Sequence, residues 1–233
     1  IYTGCRSSAA SDVYKRQVLV DLDGTLADTA PDMAGAVNRL LIEHNRPPLH
    51  FDELRPLVSY GAVRLVRRGF GDVEDDEAFE RLRLRFLELY AANLCEGTRL
   101  FPDFEDVLAR LETRGVPWGV VTNKPGWLTD PLLEALQLHT RVGSVVSGDT
   151  LPERKPHPAP LLRAAGEIGV AASECVYVGD AERDIAAGRA AGMATIAAAW
   201  GYIPDEENVH DWQADRVAAT PLDIVDCLTG GAD

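Results

Sequence analysis

Asp21, Asp23, Thr122, Asn123, Lys155 and Asp180 are the residues of this chain whose types and spacing best suit chemistry. Three of the motifs that carry them follow strand-like runs: VLVDLDGTL, VVTNKP and VGDAERD. Lys155 opens KPHP in a proline-rich loop at a helix start. Two carboxylates at i and i+2 on a strand end repel one another unless positive charge sits between them. A hard divalent cation answers that need, because Mg2+ takes one or two carboxylates together with substrate phosphate oxygens. Asp21, Asp23 and Asp180 could supply such an open site, with Asp184 behind it. An isolated Asp-X-Asp pair is common on solvated turns, so the reading rests on four motifs occurring together and in this order.

Bringing residues 21, 122 and 180 together requires parallel strands whose carboxyl ends lie side by side, the place where open α/β sheets bind ligands. The pattern supplies them. After the strand from Val18, residues Pro31 to Leu94 read as helical, with stripes at Met33, Val37, Leu40 and Leu41 and at Phe79, Leu82, Phe86, Leu87, Tyr90 and Leu94. A helix follows over Phe101 to Gly115, then the strand VPWGVVT. Beyond it the pattern predicts a helix from Thr129 to Leu138, with Pro131 in its first turn, a strand from Ser144 to Ser147 and a helix from Pro158 to Ile168. Strands at Cys175 to Gly179 and Ala194 to Ala198, with helices at Asp184 to Ala191 and Pro221 to Leu228, complete it. The fold class is therefore α/β, a doubly wound parallel sheet with an inserted all-α cap. Residues 18–30 and 98–233 form the core, and 31–97 form the cap.

Residues 1–17 are polar and aperiodic and resemble translated adapter sequence. They are expected to be an extraneous or disordered leader and are left out of the fold. The chain has 233 residues, of which 46% are apolar and 26% charged, enough to bury a core. Its formal net charge of -14 argues against nucleic acid as a partner. No apolar run is long enough to span a membrane. These features point to a cytoplasmic protein, expected as a monomer or homodimer. Cys5, Cys95, Cys175 and Cys227 have no metal-ligand spacing and read as reduced small hydrophobes.

In combination, DLDGTL, VVTNKP, Lys155 and VGDAERD resemble the haloacid dehalogenase-like hydrolases, specifically phosphatases with a helical cap after the first motif. The resemblance covers essentially all of Val18 to Leu228. It implies a Mg2+-dependent phosphomonoesterase in which Asp21 is the nucleophile that forms an aspartyl-phosphate, and Asp23 is the acid/base. Thr122 and the Asn123 backbone N–H would hold the phosphoryl group, and Lys155 would neutralise its charge. Asp21, Asp23 and Asp180 would hold the metal, and Asp184 would act through water or by orienting Lys155. Asp28 either matches a family acid or supplies negative charge at the start of the cap's first helix. A chain this acidic must still build a locally positive pocket.

Specificity is expected in the cap. SYGAVRLVRRGFG carries Arg64, Arg67 and Arg68, and Arg64 either meets a substrate carboxylate or sugar oxygen or lies on a solvated helix face. The whole chain is similar to phosphoglycolate phosphatases, while WGVVTNKP and WGYIPDEENVHDWQADRV look closer to N-acetylmuramic acid 6-phosphate phosphatases. Both substrates join a carboxylate to a phosphomonoester. Trp200, Tyr202 and Trp212 would stack on a sugar or anchor loops. A sugar-phosphate mutase on the same scaffold and a phosphorylatable switch domain are the competing readings. The second lacks a reason for the helical insertion.

Overall fold

The computed structural model describes residues 17–228. The strands are β1 (Gln17–Val20), β2 (Ala27–Asp28), β3 (Arg99–Leu100), β4 (Trp118–Val121), β5 (Ser144–Val146), β6 (Cys175–Gly179), β7 (Ala194–Ala198) and β8 (Arg216–Ala218). The helices are α1 (Ala30–Glu43), α2 (Phe51–Leu54), α3 (Gly61–Phe70), α4 (Asp76–Ala91), α5 (Phe104–Thr113), α6 (Gly126–Ala135), α7 (Ala159–Ile168), α8 (Glu182–Ala190) and α9 (Asp223–Leu228). Of the expected leader, residues 1–16 lie outside the described residues. Gln17 does not belong with them: it is fully buried in β1, with Cys175 of β6 opposite it.

Six strands form one parallel sheet in the order β5-β4-β1-β6-β7-β8. From β1 the chain builds outward to β4 and β5, then returns to the other side for β6, β7 and β8. The crossovers diverge on either side of β1, which leaves a crevice beyond the carboxyl ends of β4, β1 and β6. Asp21, Thr122 and Asp180 directly follow those three strands.

Alternation along β1 feeds two layers. Val18 and Val20 join Phe104, Val107 and Leu108 of α5, Leu128 and Leu132 of α6 and Ile224 of α9. Leu19 points the other way, into a cluster with Leu161 and Ala164 of α7 and Ala187 of α8. Burial on both faces is why β1 reads as an unbroken apolar run.

Between β1 and β4 the chain leaves through an antiparallel stem, β2 against β3, pairing Ala27 with Leu100 and Asp28 with Arg99. Two-residue strands carry no pattern, and the sequence predicts none here. The stripe Met33, Val37, Leu40 and Leu41 is buried on α1, as are Phe86, Leu87 and Tyr90 on α4. Between α2 and α3 a 3-10 turn, Arg55–Tyr60, carries the insertion toward the sheet.

One further expectation changes, and one strand is added. Helix α6 starts at Gly126 rather than Thr129 and holds Pro131 in its interior. Its early start is supported by Asp149, whose Oδ1 accepts from the Gly126 N–H at 2.8 Å, a partner 23 residues away. Strand β8 went unpredicted because its three residues sit at the sheet edge with two of them exposed. Cys175 is buried and Cys95 half-buried. Cys5 lies outside the described residues, as does the side chain of Cys227.

Candidate active site

Asp21 emerges from β1 almost fully buried, with its Oδ1 2.8 Å from the Lys155 ammonium. That ammonium also lies 2.8 Å from Asp184 Oδ1 and donates to the Val121 carbonyl at 2.9 Å and the Tyr177 hydroxyl at 2.8 Å. Its backbone is fixed as well. Asn123 Nδ2 donates to the Lys155 carbonyl at 3.0 Å, and its Oδ1 accepts from the Lys155 N–H at 3.1 Å. The side chain of Asn123 thus joins the loop after β4 to Lys155. Thr122 is also buried, and its hydroxyl accepts from the Lys124 N–H at 3.1 Å.

Asp180, at the end of β6, accepts from the Ser59 hydroxyl at 2.6 Å, the Tyr202 N–H at 2.9 Å and the Thr25 hydroxyl at 3.2 Å. Ser59 comes from the 3-10 turn of the insertion, so the helical segment reaches an acid of the core. Arg183 strengthens that joint by donating to the Ser59 carbonyl at 2.6 Å. Tyr60 of the same turn donates to Glu207. The turn between β1 and β2 passes close over Asp180 at Gly24, whose φ is +88°. A Cβ there would fall 2.1 Å from Asp180 Oδ2, so the position requires glycine twice over.

One carboxyl oxygen each from Asp21, Asp180 and Asp184 lies within 4.8 Å of the others. This differs from the expected metal set of Asp21, Asp23 and Asp180. Asp23 turns away: its Oδ1 accepts from Lys124 Nζ at 2.9 Å and from the Thr29 hydroxyl at 2.6 Å. Residues i and i+2 of a strand share a face, but both acids lie beyond the end of β1, and the buried Lys124 ammonium holds Asp23 away from the cluster. The three clustered carboxylates exceed the single ammonium between them, and every donor is a hard oxygen. That donor set fits a divalent cation of the Mg2+ type.

Crowding has electrostatic consequences. Burial, opposed by Lys155 and reinforced by Asp184 and Asp180, pushes the Asp21 carboxyl up to about 7. Burial and Asp184 also raise Asp180, though the Ser59 and Tyr202 hydrogen bonds pull the other way. Burial alone would lower Lys124, but Asp23 and Tyr90 beside it hold it above the ordinary lysine range.

A cavity of about 330 Å³ opens above Asp21, Asp23, Thr122 and Asn123. Its far wall comes from the insertion, with Met33, Val58, Tyr60, Val63 and Leu87 among its residues. Four cations line it, Arg83, Lys124, Arg154 and Arg183, against two carboxylates, Asp21 and Asp23. Cations thus outnumber carboxylates along the cavity lining, with Asp180 and Asp184 clustered behind Asp21.

Arg64 does not reach this cavity. It is exposed on α3, with its guanidinium 5.2 Å from the centre of the Tyr60 ring. The buried residues of α3 are Leu65 and Val66, and their side of the helix takes the packing, leaving Arg64 to solvent. Arg68 is paired with Glu53, and Arg67 stacks on Phe79. Tyr202 and Trp212 are buried and Trp200 is half-buried, and none lines the cavity. The Tyr202 hydroxyl instead donates to Asp28 at 2.7 Å and accepts from the Ala30 N–H at 2.9 Å, tying the stem to the loop after β7. Lys124, Arg154, Arg183 and Ser59 went unassigned in the sequence. Lys124 stood within VVTNKP and Arg183 within VGDAERD, which was the available signal.

Residues 18–198 match a family model described as haloacid dehalogenase-like hydrolase. The chain belongs to this family. Among curated relatives of this haloacid dehalogenase-like hydrolase, a phosphoglycolate phosphatase of Xanthomonas campestris pv. campestris is 48% identical, over 89% of this chain and 94% of the relative. An N-acetylmuramic acid 6-phosphate phosphatase of Pseudomonas aeruginosa is 37% identical, over 91% of this chain and 94% of its own. A crystal structure described as a predicted phosphoglycolate phosphatase from Haemophilus somnus superposes with a TM-score of 0.83 at 28% identity, covering 93% of this chain and 99% of that one. Family phosphatases are generally metal-dependent, and the buried acidic cluster of this member stands where such a metal could be held.

Proposed function

We propose that this protein is a Mg2+-dependent phosphomonoesterase that hydrolyses a small phosphorylated carboxylic acid, phosphoglycolate foremost, through an aspartyl-phosphate on Asp21. The observation that carries the reading is the Asp21 carboxylate, 2.8 Å from Lys155 at the floor of a cavity whose cations outnumber its carboxylates. The phosphoglycolate phosphatase relative at 48% identity supports the substrate.

Asp21, Asp180 and Asp184 would hold the metal, which when bound would screen the charge between the Asp21 carboxylate and the phosphoryl oxygens. An Asp21 oxygen attacks phosphorus as the ester P–O bond breaks, and Asp23 gives its proton to the leaving alkoxide. Thr122 and the Asn123 N–H position the phosphoryl group, and Lys155 offsets its charge. Water then attacks phosphorus while Asp23 takes its proton. Inorganic phosphate leaves and the Asp21 carboxylate is restored. Asp184 orients Lys155 through the 2.8 Å ion pair. The wall from the insertion excludes bulk water during both steps.

A second reading, hydrolysis of N-acetylmuramic acid 6-phosphate, draws on the relative of that name at 37% identity. The test is phosphate release from both esters with and without Mg2+, with Asp21→Asn as the blank. Strong preference for either ester selects the reading. Phosphoryl transfer to a second sugar phosphate without phosphate release would favour a mutase instead. Turnover by Asp21→Asn would remove the nucleophile assignment.

A further inference from the structure

Three of the four cations lining the cavity already have partners on the protein. Lys124 is held by Asp23 and Tyr90, Arg183 donates to the Ser59 carbonyl, and Arg83 forms a two-pronged pair with Glu80 at 2.7 and 2.6 Å. Arg154 is the fourth. It lines the cavity, is exposed, and among the described residues its side chain makes no ion pair or hydrogen bond. Its backbone, by contrast, is fixed. Lys155 follows it directly, pinned by both hydrogen bonds to Asn123 and by its ion pair with Asp21, and the Arg154 carbonyl accepts from the His157 N–H at 2.8 Å. A guanidinium on a fixed stem, one residue from the group that meets the phosphoryl oxygens, can reach a second anion a few bonds along the same substrate. In a chain of net charge -14, a cation without a carboxylate partner beside the cavity is conspicuous.

We propose that Arg154, and not Arg64, binds the carboxylate of the substrate and so sets the preference for phosphorylated acids over phosphorylated alcohols. The planar guanidinium offers two parallel N–H donors that match a carboxylate and not a hydroxymethyl group. The apolar wall of Val58, Val63, Leu87 and Leu128 would cover the carbon skeleton between the two anionic ends. This inference rests on the phosphomonoesterase reading above and adds the residue that selects the substrate.

The test uses paired esters that differ in the carboxylate. One pair is 2-phosphoglycolate and 2-hydroxyethyl phosphate, and the other is N-acetylmuramic acid 6-phosphate and N-acetylglucosamine 6-phosphate. The pair containing the ester that the wild type prefers is then run on Arg154→Gln, Arg154→Lys, Arg83→Gln and Arg64→Gln. In Arg154→Gln, kcat/KM for the carboxylated ester should fall by about ten- to hundredfold, mainly through KM, the loss expected for a charged hydrogen-bonding partner. The uncarboxylated ester should change by no more than about twofold, Arg154→Lys should lie between, and the other two variants should keep the wild-type preference. Equal losses on both esters, no loss on either, or a selective loss in Arg83→Gln or Arg64→Gln would overturn the assignment. Those outcomes leave the phosphatase reading standing. A wild type inactive on all four esters would instead remove that reading, and this inference with it.

Discussion

Lys124 Nζ lies 2.9 Å from Asp23 Oδ1 and 2.9 Å from the Tyr90 hydroxyl, so the second aspartate of the β1 loop is tied to helix α4 of the insertion through one buried ammonium. The Lys124 side chain is 3% exposed and that of Asp23 15%, which makes the pair nearly dry. Removing one member of a buried pair leaves an uncompensated charge. Lys124→Met should lower unfolding free energy by about 3 kcal/mol, while Tyr90→Phe, which deletes one hydrogen bond, should cost about 1 kcal/mol. Urea denaturation of both variants checks the order.

Lys155 separates Asp21 from Asp184 at 2.8 Å on each side. Lys155→Met should lower kcat by about 10²- to 10³-fold, the usual cost of one electrostatic contact to a transition state. Added Mg2+ should recover part of the lost thermal stability without recovering the rate, because a cation in the acidic cluster relieves the repulsion yet does not replace the ammonium. Melting curves with and without Mg2+, set beside turnover, separate the two effects.

The Asp21 carboxyl is raised from 3.8 to about 7, chiefly by burial. The folded state therefore holds this proton more tightly than the unfolded chain does. Its contribution to stability is complete below about pH 3.8 and is lost as pH rises through about 7. Metal-free protein in EDTA should accordingly melt lower at pH 8 than at pH 6. Saturating Mg2+ should narrow the gap, since a bound cation favours the ionised carboxylate. A metal-free Tm that rises from pH 6 to pH 8 would contradict the assignment.

Gly24 admits no side chain, both because its φ is +88° and because a Cβ would meet Asp180 Oδ2 at 2.1 Å. Gly24→Ala must push Asp180 off its hydrogen bonds to Ser59 and Tyr202. Activity should fall by at least about 10²-fold, with a stability loss on the order of 1–3 kcal/mol from the backbone alone. A variant of near wild-type rate would show that Asp180 need not hold its position.

Much of the architecture was legible because its signals are local. The central strands are buried on both faces, so VLV, WGVV and CVYV read as apolar runs, and the acids, Thr122 and Asn123 stand where those runs stop. The α1 and α4 stripes repeat at helical spacing because one side of each helix packs inward. Elements without a pattern of their own stayed invisible. The β2–β3 stem is two residues to a side, β8 is an edge strand, and the start of α6 depends on Asp149, far along the chain.

The site divides in the same way. The sequence by itself determined which groups gather beyond the sheet, because strand ends in a parallel sheet must lie together once the strand order is set. Only the tertiary structure decided what each group faces. Asp23 turns to Lys124 and leaves the acidic cluster to Asp184, Arg64 points to solvent, and Arg154 and Arg183 reach the cavity. Contacts such as Asp23 with Lys124, 101 residues apart, or Ser59 with Asp180, 121 apart, leave no local trace. They come from how the insertion folds back over the sheet, and a single sequence records the residues that take part but not the pairings between them.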